Sequence, residues 1–572
     1  MGTEQASPPS GATEAIESSI TELSAGLERW RGTDITERVR LLDRLSEDTL
    51  AAAPGMVRAS CKGKGIDPES TTASEEWLGG PATVLRHIRL LRETLAGIAR
   101  TSRPPVDPSR VSEQDGTAVV PVFPAGLQDR LTLTGFSAEV VMESGVGAEE
   151  TVATAARAYL SPDELGHGIC AVLGAGNVSG IGLQDVLTKL FQENRVCALK
   201  LNPVNDYLEE SYRLAFSALV ELGALRILRG DATQGAALVH HPEVTEVHIT
   251  GSSTVHDAIV WGGPDVREKN RAAGTPVLAK PISSELGCVT PVMVVPGRWS
   301  AREMRSQAWN VASMLTNNAS FNCNAAKVVV TARGWEQRDA FLEELRSTLS
   351  QVPTRNAYYP GAKERHAGFV EAHPGTVCVG APPAGHLPWA LATGLDPERR
   401  DDPAFTTEAW CGVLAETALP AETAAEFLGA AVPFANEVLF GTLSCTLIAQ
   451  PASVADPASA HALDSAIADL RYGTVALNHW AAIGYGLGIT PWGAYPGHSL
   501  EDIGSGIGTV HNTPMFARPA KGIVRGPFAS GVKPLWAVNH RRAHRAARAL
   551  AHFEARPGIG TFASLASQAL RG

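Results

Sequence analysis

With 572 residues and 44% apolar content, the chain can bury a large core and is expected to form two or more domains. A net charge of −11 argues against nucleic acid as the main partner, because phosphate binding wants a basic face. Eight cysteines are scattered without a CxxC pair or a His/Cys cluster. That fits a reducing compartment, read here as the cytoplasm, and points to neither a disulfide frame nor a metal site.

Residues 1–15 are rich in Ser, Pro, Gly and Thr and read as a disordered lead, with no basic-then-apolar signal pattern. Residues 15–101 read as amphipathic scaffold helices. Ile35, Val39, Leu42 and Leu45 recur at helical spacing, as do the apolar residues of 84–95. A Pro-punctuated linker, 102–114, leads to two strand-like pieces, 117–123 and 138–143. These form either a hairpin reaching outside the domain or an ordinary surface ribbon.

From Gly168 the pattern alternates strand and helix. The apolar run 169–173 ends in Gly174-Ala175-Gly176-Asn177, and the strand 196–201 carries Lys200 at its polar end. The strand 225–228 leads to Arg229-Gly230-Asp231, and the strand 244–249 to Thr250-Gly251-Ser252. Such alternation, with Gly/Ser turns at strand ends, predicts a doubly wound parallel sheet. Ligands bind at that edge, where helix N-termini and free N–H groups point. The GxGxxG fingerprint is absent: Gly174-Ala175-Gly176 runs one residue too long before Gly180.

Glu285-Leu286-Gly287-Cys288 precedes the apolar strand 289–295, and Ser320-Phe321-Asn322-Cys323 precedes the β-branched strand 327–331. One carboxylate and one thiol, each at a strand mouth, are the parts of a covalent thiol mechanism. Further on, Glu408-Ala409-Trp410 pairs a carboxylate with an aromatic, and Pro491-Trp492-Gly493-Ala494 is a tight apolar turn. The apolar stretch 432–449 contains Asn436, Glu437 and Gly441 and reads as core rather than a membrane span. Beyond Asn512 lies a tail with one basic helix, 540–553, read as solvated or subunit-facing.

In order and spacing these loops resemble the aldehyde dehydrogenase superfamily, from about Gly168 to Asn512. Its Trp-Asn loop is matched by Gly176-Asn177, its strand-end Lys by Lys200, and its Thr-Gly-Ser loop by Thr250-Gly251-Ser252. Its Glu-Leu-Gly-Gly is matched by residues 285–288, its Gly-Gln-x-Cys at Cys323 alone, and its Glu-x-Phe by residues 408–410. The resemblance implies two Rossmann-like doubly wound lobes with a small β oligomerisation element. Its boundaries would be 16–115 and 146–286 for the nucleotide-binding domain, 287–485 for the catalytic domain, and 116–145 with 486–572 for the hairpin and tail. It implies a homodimer or homotetramer without nucleic-acid or membrane partners.

The same resemblance implies that Cys323 attacks an aldehyde, with Asn177 and the Cys323 N–H stabilising the oxyanion and Glu285 activating water against the thioester. NAD or NADP would be held by Lys200, Gly230, Gly251, Ser252, Glu408 and Trp410. Pro203 stands where NAD-preferring members often carry Glu, so a 2′-phosphate is not repelled. The segment between Ser252 and Glu285, with Trp261-Gly262-Gly263, is longer than usual and resembles that of CoA-linked acyl-CoA reductases; a non-catalytic relative is the third reading. The substrate tunnel is expected near Trp309, Phe321 and residues 479–486.

Overall fold

The structure is a computed structural model that describes residues 10–161 and 166–572. The lead assigned to 1–15 lies outside the described residues as far as residue 9, and from Ser10 the chain is helical, through Gly32. The next helix, Ile35–Lys64, begins at a reciprocal capping box between Asp34 and Glu37. It stops at Gly65, whose φ of 68° suits a residue without Cβ. That stop fixes Lys64, the last helical residue, in a buried position.

Two sheets organise the rest. The first runs in the order Gly506–Ile507, Ile282–Leu286, Val244–Gly251, Gly168–Leu173, Arg195–Lys200, Leu225–Leu228. Its neighbours are parallel except at the Gly506–Ile507 edge. The chain enters at Gly168–Leu173 and builds outward on both sides, so a topological switch lies between that strand and Val244–Gly251. Strands buried on both faces explain the unbroken apolar runs Ile169–Val172 and Val196–Leu199.

The second sheet has eleven strands. Its parallel part extends from Pro519–Arg525 through Thr474–Leu477, Ser444–Ile448, Thr290–Val294, Ala326–Ala332 and Val413–Leu419 to Trp389–Leu395. Val377–Val379 closes one edge antiparallel. At the other edge the ribbon of Ser112–Gln114, Thr117–Phe123 and Ser137–Met142 joins antiparallel to Pro519–Arg525. The ribbon therefore extends its own chain's sheet. The stretch 432–449 is core, forming a helix end and the buried strand Ser444–Ile448.

The tail departs from expectation. Its strand Pro519–Arg525 inserts within the large sheet, and its basic helix, Ala543–Ala555, packs within the chain on Ser74–Trp77 and Thr83–Thr101. Ala547 and Ala551 are buried in that contact, and Glu554 pairs with Arg86 at 3.0 Å and Arg89 at 2.8 Å. The basic residues bracket an alanine face, and that face, small enough for close helix approach, decides the packing. The segment with Trp261-Gly262-Gly263 is likewise ordered, as the helices Ser253–Trp261 and Pro264–Ala272, with Trp261 fully buried. Among the described residues no helix is long and apolar enough to cross a membrane.

Candidate active site

Strand Ile282–Leu286 of the first sheet runs, after three residues, into Thr290–Val294 of the second. Glu285 thus sits at the junction of the two sheets, with Cys323 just before the neighbouring strand Ala326–Ala332. Gly287 in this junction lets the Glu408 carboxylate approach: a Cβ there would lie 1.9 Å from it and displace it. The fold therefore brings Cys323, Glu285 and Glu408 together. Cys323 Sγ donates to Glu285 Oε1 at 3.3 Å. Both line a cavity of about 730 Å³, with Val178, Trp480 and Tyr485 among its walls.

Electrostatics separate these groups. Burial pushes the Glu285 carboxyl up to about 7, against a smaller pull downward from the Trp492 indole N–H. Burial also pushes the Cys323 thiol well up, and the nearby Glu285 and Glu408 carboxylates push it further. Glu408 is raised by burial as well, tempered by Lys327, and its Oε1 has no protein partner. The resting pair is therefore a neutral thiol beside a carboxyl poised near neutrality, not a thiolate.

The loop before Cys323 is strained and held from several sides. Asn318, Ala319 and Ser320 have φ of 52°, 56° and 68°, unfavourable for residues with a Cβ. Glu75 accepts from the Asn318 N–H at 3.0 Å, and Lys327 Nζ donates to the Ser320 carbonyl at 3.1 Å. Lys64 Nζ donates to Glu76 at 2.8 Å, to the Asn177 carbonyl at 2.8 Å and to Asn318 Oδ1 at 3.0 Å. One buried ammonium thus ties the first helices to both site loops. Removing either member of such a buried pair costs about 3–5 kcal/mol.

Asn177 is not in the cavity wall. Its Nδ2 donates to the Phe321 carbonyl at 3.1 Å, so the amide braces the nucleophile loop. An amide facing the sulfur is that of Asn324, with Nδ2 4.0 Å from Sγ, and Trp480 Nε1 donates to the Asn324 backbone carbonyl at 2.7 Å. Phe321 also turns away, packing 4.9 Å from the Tyr358 ring, and Trp309 packs against the large sheet's core. Of the expected tunnel segments only Trp480–Gly486 reaches the cavity. Asn324 stands beside Cys323 in the sequence and could have been singled out there. Lys64 could not, being 113 residues from Asn177.

Lys200, Gly230, Gly251 and Ser252 lie at the C-terminal ends of strands of the first sheet. Lys200 is 7% exposed, with its ammonium lowered by burial against opposing pulls from Asp231 and Asp206. Gly230, at φ 137°, lies over Gln234, where a Cβ would meet that side chain at 2.8 Å. Gly251 is exposed, and Ser252 caps Ser253–Trp261 by accepting from the Val255 N–H at 3.3 Å. A helix N-terminus on the same sheet edge as a lysine suits an anionic phosphate group. Trp410 stands on the far side, at φ 45°, edge-on to Tyr359 at 5.5 Å, and its carbonyl accepts from Arg365.

No protein-family model and no curated protein sequence matches the chain. Solved structures do. A γ-glutamyl-γ-aminobutyraldehyde dehydrogenase from Burkholderia cenocepacia aligns over 90% of this chain and 88% of its own, at TM-score 0.58 and 17% identity. An NADP-dependent glyceraldehyde-3-phosphate dehydrogenase from Bacillus halodurans, complexed with NADP, aligns over 90% and 91%, at 0.58 and 15%. A mutant aldehyde dehydrogenase C from Pseudomonas syringae, complexed with NAD+ and octanal, aligns over 91% and 90%, at 0.57 and 14%. The fold is that of the aldehyde dehydrogenases. Within this aldehyde dehydrogenase fold, Cys323 and Glu285 meet between the two sheets, at the inner end of the cavity.

Proposed function

We propose that this chain oxidises an aldehyde to a carboxylic acid with NAD or NADP as hydride acceptor, using Cys323 as nucleophile and Glu285 as base. The observation that carries the reading is the 3.3 Å contact between Cys323 Sγ and Glu285 Oε1 at the cavity wall. Glu285 accepts the thiol proton as sulfur adds to the carbonyl carbon. This matches the raised protonation range of both groups, because a carboxyl near 7 is a competent base at neutral pH. The Asn324 amide, 4.0 Å from the sulfur, and the Cys323 N–H would donate to the developing oxyanion. Asn177 acts as a positioning residue through Phe321.

The dinucleotide fits the residues present: a partly buried ammonium, a capped helix N-terminus and a partnerless carboxylate oxygen. Lys200 would hold the adenosine ribose and Ser252 the pyrophosphate, with Gly230 and Gly251 giving room. Glu408 would hold the nicotinamide ribose, with Trp410 beside it. When bound, the nicotinamide supplies the hydride acceptor. Glu285 first passes the thiol's proton to solvent, then takes a proton from the water that attacks the thioester carbon; the carbon–sulfur bond breaks, the acid leaves, and the sulfur takes that proton back from Glu285 to restore the thiol.

The test is turnover of a panel of aldehydes with NAD or NADP, with and without coenzyme A, followed as reduced nicotinamide. CoA-independent turnover is expected. Strict dependence on CoA would replace hydrolysis by thiol exchange, and silence with every aldehyde would end the enzymatic reading.

A further inference from the structure

The cavity that Cys323 lines is also lined by the last two helices of the chain. Leu550 and Glu554 of the helix Ala543–Ala555 line it, as do Phe562, Leu565, Ala566 and Ala569 of Ile559–Ala569. The last helix rests on its predecessor, with Phe562 5.9 Å from Phe553 and Leu565 buried beside Ala549. Leu131, Leu133 and Phe136, from the ribbon's connecting loop, complete this outer part with Leu535 and Trp536.

The charged groups along the wall are paired with one another or face the thiol, except Lys533. Lys64 is held by Glu76 at 2.8 Å, and Glu75 by Arg355 at 3.0 Å. Arg86 spans Asp129 at 2.8 Å and Glu554 at 3.0 Å, and Glu285 faces the thiol. Lys533, exposed, donates to the Asn539 carbonyl at 3.2 Å. Away from Lys533 at the exposed side, an ionised substituent in this space would lose its water and gain no counter-charge, whereas an alkyl or aryl group gains burial. A volume of about 730 Å³ suits a ligand of many heavy atoms.

We propose that the C-terminal helix pair is the outer wall of the acyl chamber and restricts the substrate to uncharged, extended apolar aldehydes. This rests on the reading of Cys323 as the nucleophile, so the test separates the two. Calorimetric titration of the full chain with decan-1-ol and propan-1-ol reads the chamber without turnover. Decan-1-ol is expected to bind at least about a hundredfold more tightly, each methylene adding up to about fourfold. In turnover, decanal should exceed propanal and succinate semialdehyde in kcat/KM by a similar factor. Tight decan-1-ol binding with no aldehyde oxidised would keep the chamber and discard the reaction. Equal turnover of decanal, propanal and succinate semialdehyde, with equal alcohol affinities, would discard the chamber and keep the reaction. Ala566→Trp should weaken decan-1-ol about tenfold or more by filling the space, while Ser564→Trp, on the exposed face of the same helix, should change it less than about twofold. Equal effects from both would remove this helix from the wall. Should Ala566→Trp fail to fold, the alcohol series on the unaltered chain decides.

Discussion

The loop that carries Cys323 and the turn that carries Gly251 and Ser252 are built on opposite plans. Around Cys323 the polar groups are buried, cross-braced and held in left-handed backbone by Lys64, Glu75 and Lys327. At the edge of the six-stranded sheet Gly251 and Ser252 stand in solvent, and braces are few. The first plan fixes geometry before any ligand arrives and shifts protonation by burial. The second leaves donors open for a ligand to complete. Preorganisation belongs where bonds change, because charge stabilised by fixed dipoles costs no rearrangement at the moment of reaction.

The largest test of that contrast is Cys323→Ala. Turnover should fall by about a thousandfold or more, while nucleotide affinity measured by fluorescence titration stays within about twofold of the parent. Residual aldehyde oxidation near the parent rate would move the nucleophile elsewhere. Glu285→Gln comes next, with an expected loss of about a hundredfold or more in steady-state rate. In the parent, kcat/KM should rise with pH through about 7, since the base works only when deprotonated. A profile flat across that range would take Glu285 out of proton transfer. The same variant carries a stability signature. The native carboxyl titrates at about 7 against an ordinary 4.5, so the folded chain holds its proton more tightly than the unfolded one. Stability is therefore fully present below about pH 4.5 and lost as pH rises through about 7. Glu285→Gln removes that cost: its melting temperature should exceed the parent's at alkaline pH, by a gain on the order of 3 kcal/mol, and converge with it in acid.

Cys323 and Glu285 were legible in the sequence because each precedes an apolar strand, and strand mouths are where a parallel sheet presents side chains to a ligand. The two-sheet architecture was legible for the same reason: runs such as Val328–Val330 and Ala171–Val172 are apolar on both faces. The tail was not. What docks Ala543–Ala555 is an alanine face plus Glu554 reaching Arg86 and Arg89, more than four hundred residues earlier. A local pattern carries no record of such a partner, and the arginines of that helix made it look solvated. Asn177 is legible only in part. Its position in the chain matched, but one N–H of its amide goes to the Phe321 carbonyl, which no spacing reveals. In general, residues that act through backbone position were readable, and residues that act through a distant hydrogen bond were not.

The edge of the six-stranded sheet gives the smallest effect and the sharper test of the contrast. Burial lowers the Lys200 ammonium, and Asp231 and Asp206 pull it back, so the amine is held for a ligand at a desolvation cost. A hydrogen bond from a charged donor contributes about 1.5–3 kcal/mol. Lys200→Met keeps the stem that packs at the strand end and deletes only that donor. KM for the nucleotide should therefore rise about tenfold or more, with kcat at saturation nearly unchanged. Melting temperature without nucleotide should not fall, since a buried charge has been removed. If kcat falls in step with KM, the lysine contributes to the transition state and the division between a rigid reacting loop and an open binding loop is too simple. If KM does not move, the nucleotide does not lie over this edge of the sheet, and Ser252 loses its role with it.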